Sequence, residues 1–233
     1  MKLFQQKSVI EKYDVKSFVE AYNIGADDFI LATKRIYETC FAPLNLKAHV
    51  EYKSKYGSGE PTDVMIDALL EDFRQGDYKR IIAIGGGAVI DMAKILVLDG
   101  EAKAESYYRK EVPLRKVRTL LAVPTTCGAG SEVSNVSITE ITSIHSKLGL
   151  AVDEIYADEA VLIPELLREL PYEFFATSAI DAFIHALRKK GVGRIDYKAV
   201  LTPYNMKWDS VQLYEEIKKE HEMMTGKGKD EAL

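Results

Sequence analysis

The stretch IIAIGGGAVIDMAK, residues 81–94, decides the fold. Arg80 to Ile84 reads as a buried strand, because its apolar run is continuous rather than alternating. The run stops at Gly85-Gly86-Gly87. From Ala88 to Leu98 the residues are apolar nearly all round, the pattern of a buried helix. A helix N-terminus presents free N–H groups and the positive end of its dipole. Glycine lets a phosphate approach that backbone with no side chain in the way. The same residues would equally make a tight strand-to-helix turn that binds nothing, since they form neither GxGxxG nor a Walker A loop. Asp91 falls in the first turn of the expected helix, where it is either a surface acid complementing the dipole or a site residue.

The segments around this unit alternate between strand-like and helix-like, as in βαβ units with a mostly parallel sheet. Phe29–Thr33, His49–Tyr52, Thr119–Val123 and Ala160–Ile163 read as strands. Val136–Ile141 and Leu148–Val152 read as an antiparallel excursion. Pro61–Phe73 carries Val64, Ile66, Leu69, Leu70 and Phe73 near helical spacing, with Pro61 suited to the first turn. Pro164–Leu170 and Phe174–Arg188 read as helices. Lys189 to Gly193 reads as a linker, and Asp209 or Ser210 would cap a last helix from Val211 to Met224. These boundaries predict an α/β dinucleotide-binding domain over 1–170 and a short helical remnant over 171–233.

The net charge of −5 argues against nucleic acid or an anionic membrane as the main partner. Cys40 and Cys127 make no disulfide framework, which fits a reducing cytosol. The first thirteen residues contain no apolar signal region, and no run is long enough to span a bilayer. A cytoplasmic protein is therefore expected.

A second loop, PTTCGAGSE from Pro124 to Glu132, follows another buried strand. Its hydroxyls and glycine-exposed amides suit a ribose or pyrophosphate at the carboxyl end of a sheet. Cys127 has no identifiable base beside it and reads as loop structure. Asp181 and His185 are four residues apart on an expected helix and share one face. Carboxylate plus imidazole can begin a divalent-metal site, and a cap plus a half-buried histidine would look the same. His49, His145 and His221 sit in no ligand motif.

Taken in order, these three segments resemble the iron-dependent (group III) alcohol dehydrogenase family, whose signatures are GGGSxxDxAK, PTTxGTGSE and a helical Asp-x-x-x-His. The linking stretches GEPTDVMIDAL from Gly59 and ADEAVLIPELLRELP from Ala157 resemble it too. Cys127 within PTTCGAGSEVSNVS and the YAxxAVLxPE stretch are most similar to its 4-hydroxybutyrate dehydrogenases. The resemblance runs to about Leu187. It implies a dehydroquinate synthase-like α/β domain and NAD- or NADP-linked alcohol oxidation, or the reverse. A divalent metal, Fe2+ or another such as Zn2+, would polarise the alcohol oxygen. By position, Gly86, Gly87 and Ala88 would face the pyrophosphate, with Asp91 in the same site. Thr125, Thr126 and Ser131 would flank the phosphates and nicotinamide ribose, and Lys147 would contact the cofactor. Asp181 and His185 would be the first two metal ligands, with no catalytic residue beyond them.

The chain departs from the family at Ala88, where a serine is usual. Thr33-Lys34 stands where many members carry an acid for the adenosine ribose, and Arg188 replaces an acid. After it, the family's helical half is not recognisable. Two functions are therefore expected. One is a metal-dependent alcohol dehydrogenase acting on a small alcohol or aldehyde, with 4-hydroxybutyrate and succinic semialdehyde as the pair. The other is a non-catalytic NAD(P)-binding remnant. A lyase on the same scaffold fits the motifs less well. An apolar face left by the missing half predicts self-association.

Overall fold

The computed structural model describes residues 7–168 and 170–189, with the side chains of 172–173 and 183–189 outside the description. Lys189, the first residue of the expected linker, ends a helix, and the rest of that linker, the last helix and His221 also lie outside the description. The chain divides into two units, residues 1–182 and 183–233.

Strand β4 (Arg80–Gly85) sits near the middle of a six-stranded parallel sheet. The order is β1 (Val9–Lys12), β8 (Glu159–Leu162), β5 (Thr119–Pro124), β4, β2 (Asp28–Ala32) and β3 (His49–Tyr52). β2, β4 and β5 are buried along almost their whole length, which explains why their sequences are unbroken apolar runs. Ile82 pairs with Ile30 on one side and Leu121 on the other.

Helices cover both faces. α2 (Asp63–Phe73), α3 (Gly87–Leu96) and α4 (Ala104–Tyr108) pack with Phe29, Leu31, Ile81, Ala83, Leu120 and Ala122. α1 (Val15–Tyr22) and the turns through Tyr37 and Phe41 pack with Ile30, Ala32, Ile82, Ile84, Leu121 and Val123. The chain leaving β2 therefore takes one face and the chain leaving β4 the other. The strand order reverses between these neighbours, and ligands of open α/β sheets sit at that point, beyond the carboxyl ends of the strands.

The expected excursion is a separate antiparallel pair, β6 (Val136–Ile141) and β7 (Ser146–Ala151). Its reversal passes through His145 at φ +48°. The long helix α5 runs Tyr172–Lys189.

Three local expectations are corrected. Pro61 precedes α2 instead of opening it: Thr62 is the N-cap, and the Pro61 carbonyl accepts from the Glu140 amide at 2.9 Å. Pro164–Leu167 is a single tight 3-10 turn. Asp91 lies past the first turn of α3, which contains no acid. Three of the elements named above are additional to the sequence reading, β1, α1 and α4. Helix α1 is closed at its start by Asp14 and Ser17, which bond reciprocally to each other's backbone amides.

Candidate functional site

The carboxyl ends of β4 and β5 carry the two glycine-containing loops side by side. The Thr125 amide donates to the Gly85 carbonyl at 3.0 Å, so the strand pairing continues into the loops. A Cβ on Gly85 would lie 2.6 Å from the Val89 Cβ, so Gly85 is required by the packing of α3 on β4. Gly86 and Gly87 face the second loop. A Cβ on Gly86 would come 3.3 Å from the Thr126 methyl carbon, and one on Gly87 would come 3.2 Å from Ser131 Oγ. Any side chain here would crowd the space between the loops. Gly86 is the N-cap of α3 and gives no side-chain cap. The first amides of α3 therefore keep the capacity to bind an anion. Gly86, Gly87 and Ala88 are half-buried, and Thr125 is buried. Sequence-predicted Gly86, Gly87, Thr126 and Ser131 are thus brought together as one cradle.

Asp91 lies behind that cradle. Its side chain is only 13% exposed, which rules out the surface-acid reading. One carboxylate oxygen accepts from the Ile138 amide at 3.1 Å, and the other lies 3.3 Å from Lys94 Nζ. Its backbone carbonyl accepts from the Ser137 hydroxyl at 2.8 Å, and that hydroxyl also meets Tyr108 Oη at 2.6 Å. Lys94 is completely buried and donates to Ser134 Oγ at 3.1 Å and to the Val136 carbonyl at 2.5 Å. Burial pushes the Asp91 carboxyl above its ordinary range and the Lys94 ammonium below its own, and each charge partly offsets this for the other. Burial likewise raises the Glu132 carboxyl.

Lys147 is exposed on β7, and its ammonium is 3.5 Å from Glu60. Thr33 and Lys34 follow β2 directly beside the glycine turn. The Thr33 amide donates to the Ile84 carbonyl at 2.8 Å, and Lys34 Nζ lies 3.7 Å from Glu38. Cys127 is exposed at the tip of the second loop. Gly128 of that loop touches α5: a Cβ there would lie 2.6 Å from the Ser178 carbonyl oxygen. The loop is therefore seated on the helix three residues before Asp181, which is half-buried. The His185 side chain lies outside the description. Among the described residues no group of three or more His, Cys, Asp or Glu side chains is placed to hold a metal.

Sequence reasoning missed Lys94, Gly128 and Ser134. Lys94 had a signal, since it is the one cation of a helix whose only other charged residue is Asp91. A cleft of about 450 Å³ at the opposite, amino end of the sheet is lined by Tyr22, Gly25, Asp28 and Arg80 among others. Its Arg80–Asp28 pair is bidentate, at 2.6 and 2.8 Å, so those charges are spent on each other.

Comparison with known proteins agrees with this architecture. The family model for iron-containing alcohol dehydrogenases matches residues 7–164. A second model, of a domain of unknown function (DUF3783), matches residues 175–224. The chain is 45% identical over 187 residues to a 4-hydroxybutyrate dehydrogenase of Clostridium kluyveri, covering 80% of this chain and 50% of that protein. It is 35% identical to an alcohol dehydrogenase of Thermococcus barophilus over 55% of this chain and 36% of that one. Sulfoacetaldehyde reductase from Bifidobacterium kashiwanohense, solved with NAD+, superposes with a TM-score of 0.66 at 22% identity, over 78% of this chain and 51% of that one. The chain thus spans half or less of the length of the curated relatives it matches. No helix among the described residues is long and apolar enough to cross a membrane. On its motifs, its sheet and the match over residues 7–164, this chain belongs to the iron-containing alcohol dehydrogenase family.

Proposed function

We propose that the chain derives from an NAD(P)-dependent, metal-dependent alcohol dehydrogenase that interconverts 4-hydroxybutyrate and succinic semialdehyde. The observation that carries the cofactor part is the apposition of Gly86-Gly87 with Thr126 and Ser131 at the strand-order reversal. Open helix amides and adjacent hydroxyls suit a dinucleotide pyrophosphate and ribose. NAD is favoured by the NAD+ complex of the structural relative, and Thr33-Lys34 keeps NADP open. The substrate pair rests on the identity to the Clostridium kluyveri protein. Gly86, Gly87, Ala88, Thr125, Thr126 and Ser131 would bind and orient the cofactor, with Asp91 supporting them from behind. Lys147 would reach the cofactor only by leaving Glu60.

Asp181 and His185 are the proposed metal ligands. A carboxylate and an imidazole suit Fe2+ or Zn2+, but a catalytic ion takes about three protein ligands. When bound, such an ion acts as a Lewis acid on the alcohol oxygen. The cradle residues would bind and orient the dinucleotide for hydride transfer.

A second reading is a cofactor-binding remnant without turnover. It is favoured by the different family model matched at residues 175–224. In either case a cytoplasmic, self-associating protein is expected.

One experiment separates these readings. The purified chain is loaded anaerobically with Fe2+, and its metal content, NADH binding and succinic semialdehyde reduction are measured. Binding, retained metal and turnover support the dehydrogenase. NADH binding without metal retention or turnover leaves the remnant. Failure to bind NADH or NADPH overturns both.

A further inference from the structure

We propose that Lys94 is the positioning residue of the nucleotide cradle, fixing the second loop against the glycine turn through Ser134 and Val136. The inference rests on the cofactor-binding reading above. Lys94 and the glycine turn belong to one rigid helix, α3. Ser134 and Val136 belong to the chain that leaves the second loop and enters β6. Two bonds join the two at one buried ammonium, to Ser134 Oγ at 3.1 Å and to the Val136 carbonyl at 2.5 Å, while a third contact, to Asp91 at 3.3 Å, stays within α3. Asp91 adds the Ile138 amide at 3.1 Å, so the same helix grips β6 at two points.

The consequence is geometric. Ser131 Oγ lies only 3.2 Å from where a Gly87 Cβ would be, so a small shift of the loop opens or closes the cradle. Glycine and alanine at 128 to 130 give the loop little stiffness of its own. Its two ends must therefore be held from outside. One end is held by the Thr125 amide on the Gly85 carbonyl, and the other by Lys94 on Ser134 and Val136. Lys94 makes no contact with the ligand in this scheme.

The test uses the full chain and two readouts. NADH affinity is titrated by nucleotide fluorescence well below each variant's melting temperature. The rate of Cys127 alkylation by a maleimide is followed by peptide mapping, with and without NADH. Lys94→Met retains the aliphatic stem and removes the ammonium, and should weaken NADH about tenfold or more. It should also speed Cys127 alkylation and abolish its protection by NADH. Ser134→Ala should change both readouts in the same direction by a few-fold, and Ser134→Thr, which restores the hydroxyl, should return them to wild type. A merely structural lysine would lower the melting temperature and leave both readouts unchanged in the folded population, and that result would overturn the proposal. If Lys94→Met does not fold, the Ser134 pair decides, and equal values for alanine and wild type overturn the proposal. Wild-type protein that binds neither NADH nor NADPH rejects the cofactor reading itself, and the Lys94 role with it.

Discussion

Gly128 shows how a single missing Cβ positions the site. Its neighbour is the backbone of α5 at Ser178, which cannot rotate aside as a side chain would. Gly128→Ala must push the second loop and the helix apart, at a cost of about 1–3 kcal/mol. A thermal melt lowered by several degrees together with weaker NADH binding is expected; an unchanged melt would show that the loop does not rest on the helix. Glu132 gives a pH signature. Burial raises its folded carboxyl above the ordinary 4.5. The folded state therefore holds that proton more tightly than the unfolded chain. The contribution favours folding below pH 4.5 and is lost as pH rises through the raised folded value. Glu132→Gln has no proton to lose, so its stability relative to wild type should improve across that window. Chemical denaturation of both proteins from pH 4 to 8 would measure it, and parallel curves would refute the assignment.

At the scale of elements, legibility followed burial and chemistry. β4 with α3 was readable because a two-sided strand must be continuously apolar, and the glycines interrupt it where α3 must pack closely. The cradle residues were readable as types, but not their pairing: nothing in the string sets Gly86 against Thr126 or Gly87 against Ser131. β1 was unreadable because Val9–Lys12 is an exposed edge strand with no alternation. α1 was legible and overlooked, since Val15, Phe18, Val19 and Tyr22 follow helical spacing behind an Asp14–Ser17 capping box. The same capping logic predicts the behaviour of α2. The Thr62 hydroxyl accepts from the Met65 amide at 3.2 Å. Thr62→Ala should cost about 1 kcal/mol, seen as a lower denaturant midpoint at unchanged slope. Under the sheet, Arg80 answers the Asp28 carboxylate, which is 2% exposed. Arg80→Met leaves that charge buried without its main partner and should cost about 3 kcal/mol or more. A loss under about 1 kcal/mol in the same titration would mean that the Gly25 amide alone suffices for Asp28.

For the whole molecule, the chain spans about half the length of the 4-hydroxybutyrate dehydrogenase it matches, and ligand-induced stabilisation tests what that half binds. All the described cradle residues fall within residues 1–182, whereas His185 falls beyond them. Asp181 shares residues 1–182 with the cradle, so nucleotide and metal binding are told apart by substitution and not by region. A ligand that binds only the folded state stabilises it by RT ln(1 + [L]/Kd), about 2.7 kcal/mol at a hundredfold excess over Kd. In a unit of this size that raises the melting temperature by roughly 5–10 °C. NADH should produce such a shift in the full chain, and Asp181→Ala should leave it intact. Fe2+ added anaerobically to the NADH complex should raise the midpoint again, and Asp181→Ala should abolish that second step. A second step in wild type alone identifies Asp181 as a ligand, and His185→Ala and His221→Ala then test whether either histidine contributes. If NADH stabilises the chain and Fe2+ adds nothing, the dehydrogenase reading is refuted, and the chain keeps its family's cofactor cradle without its chemistry.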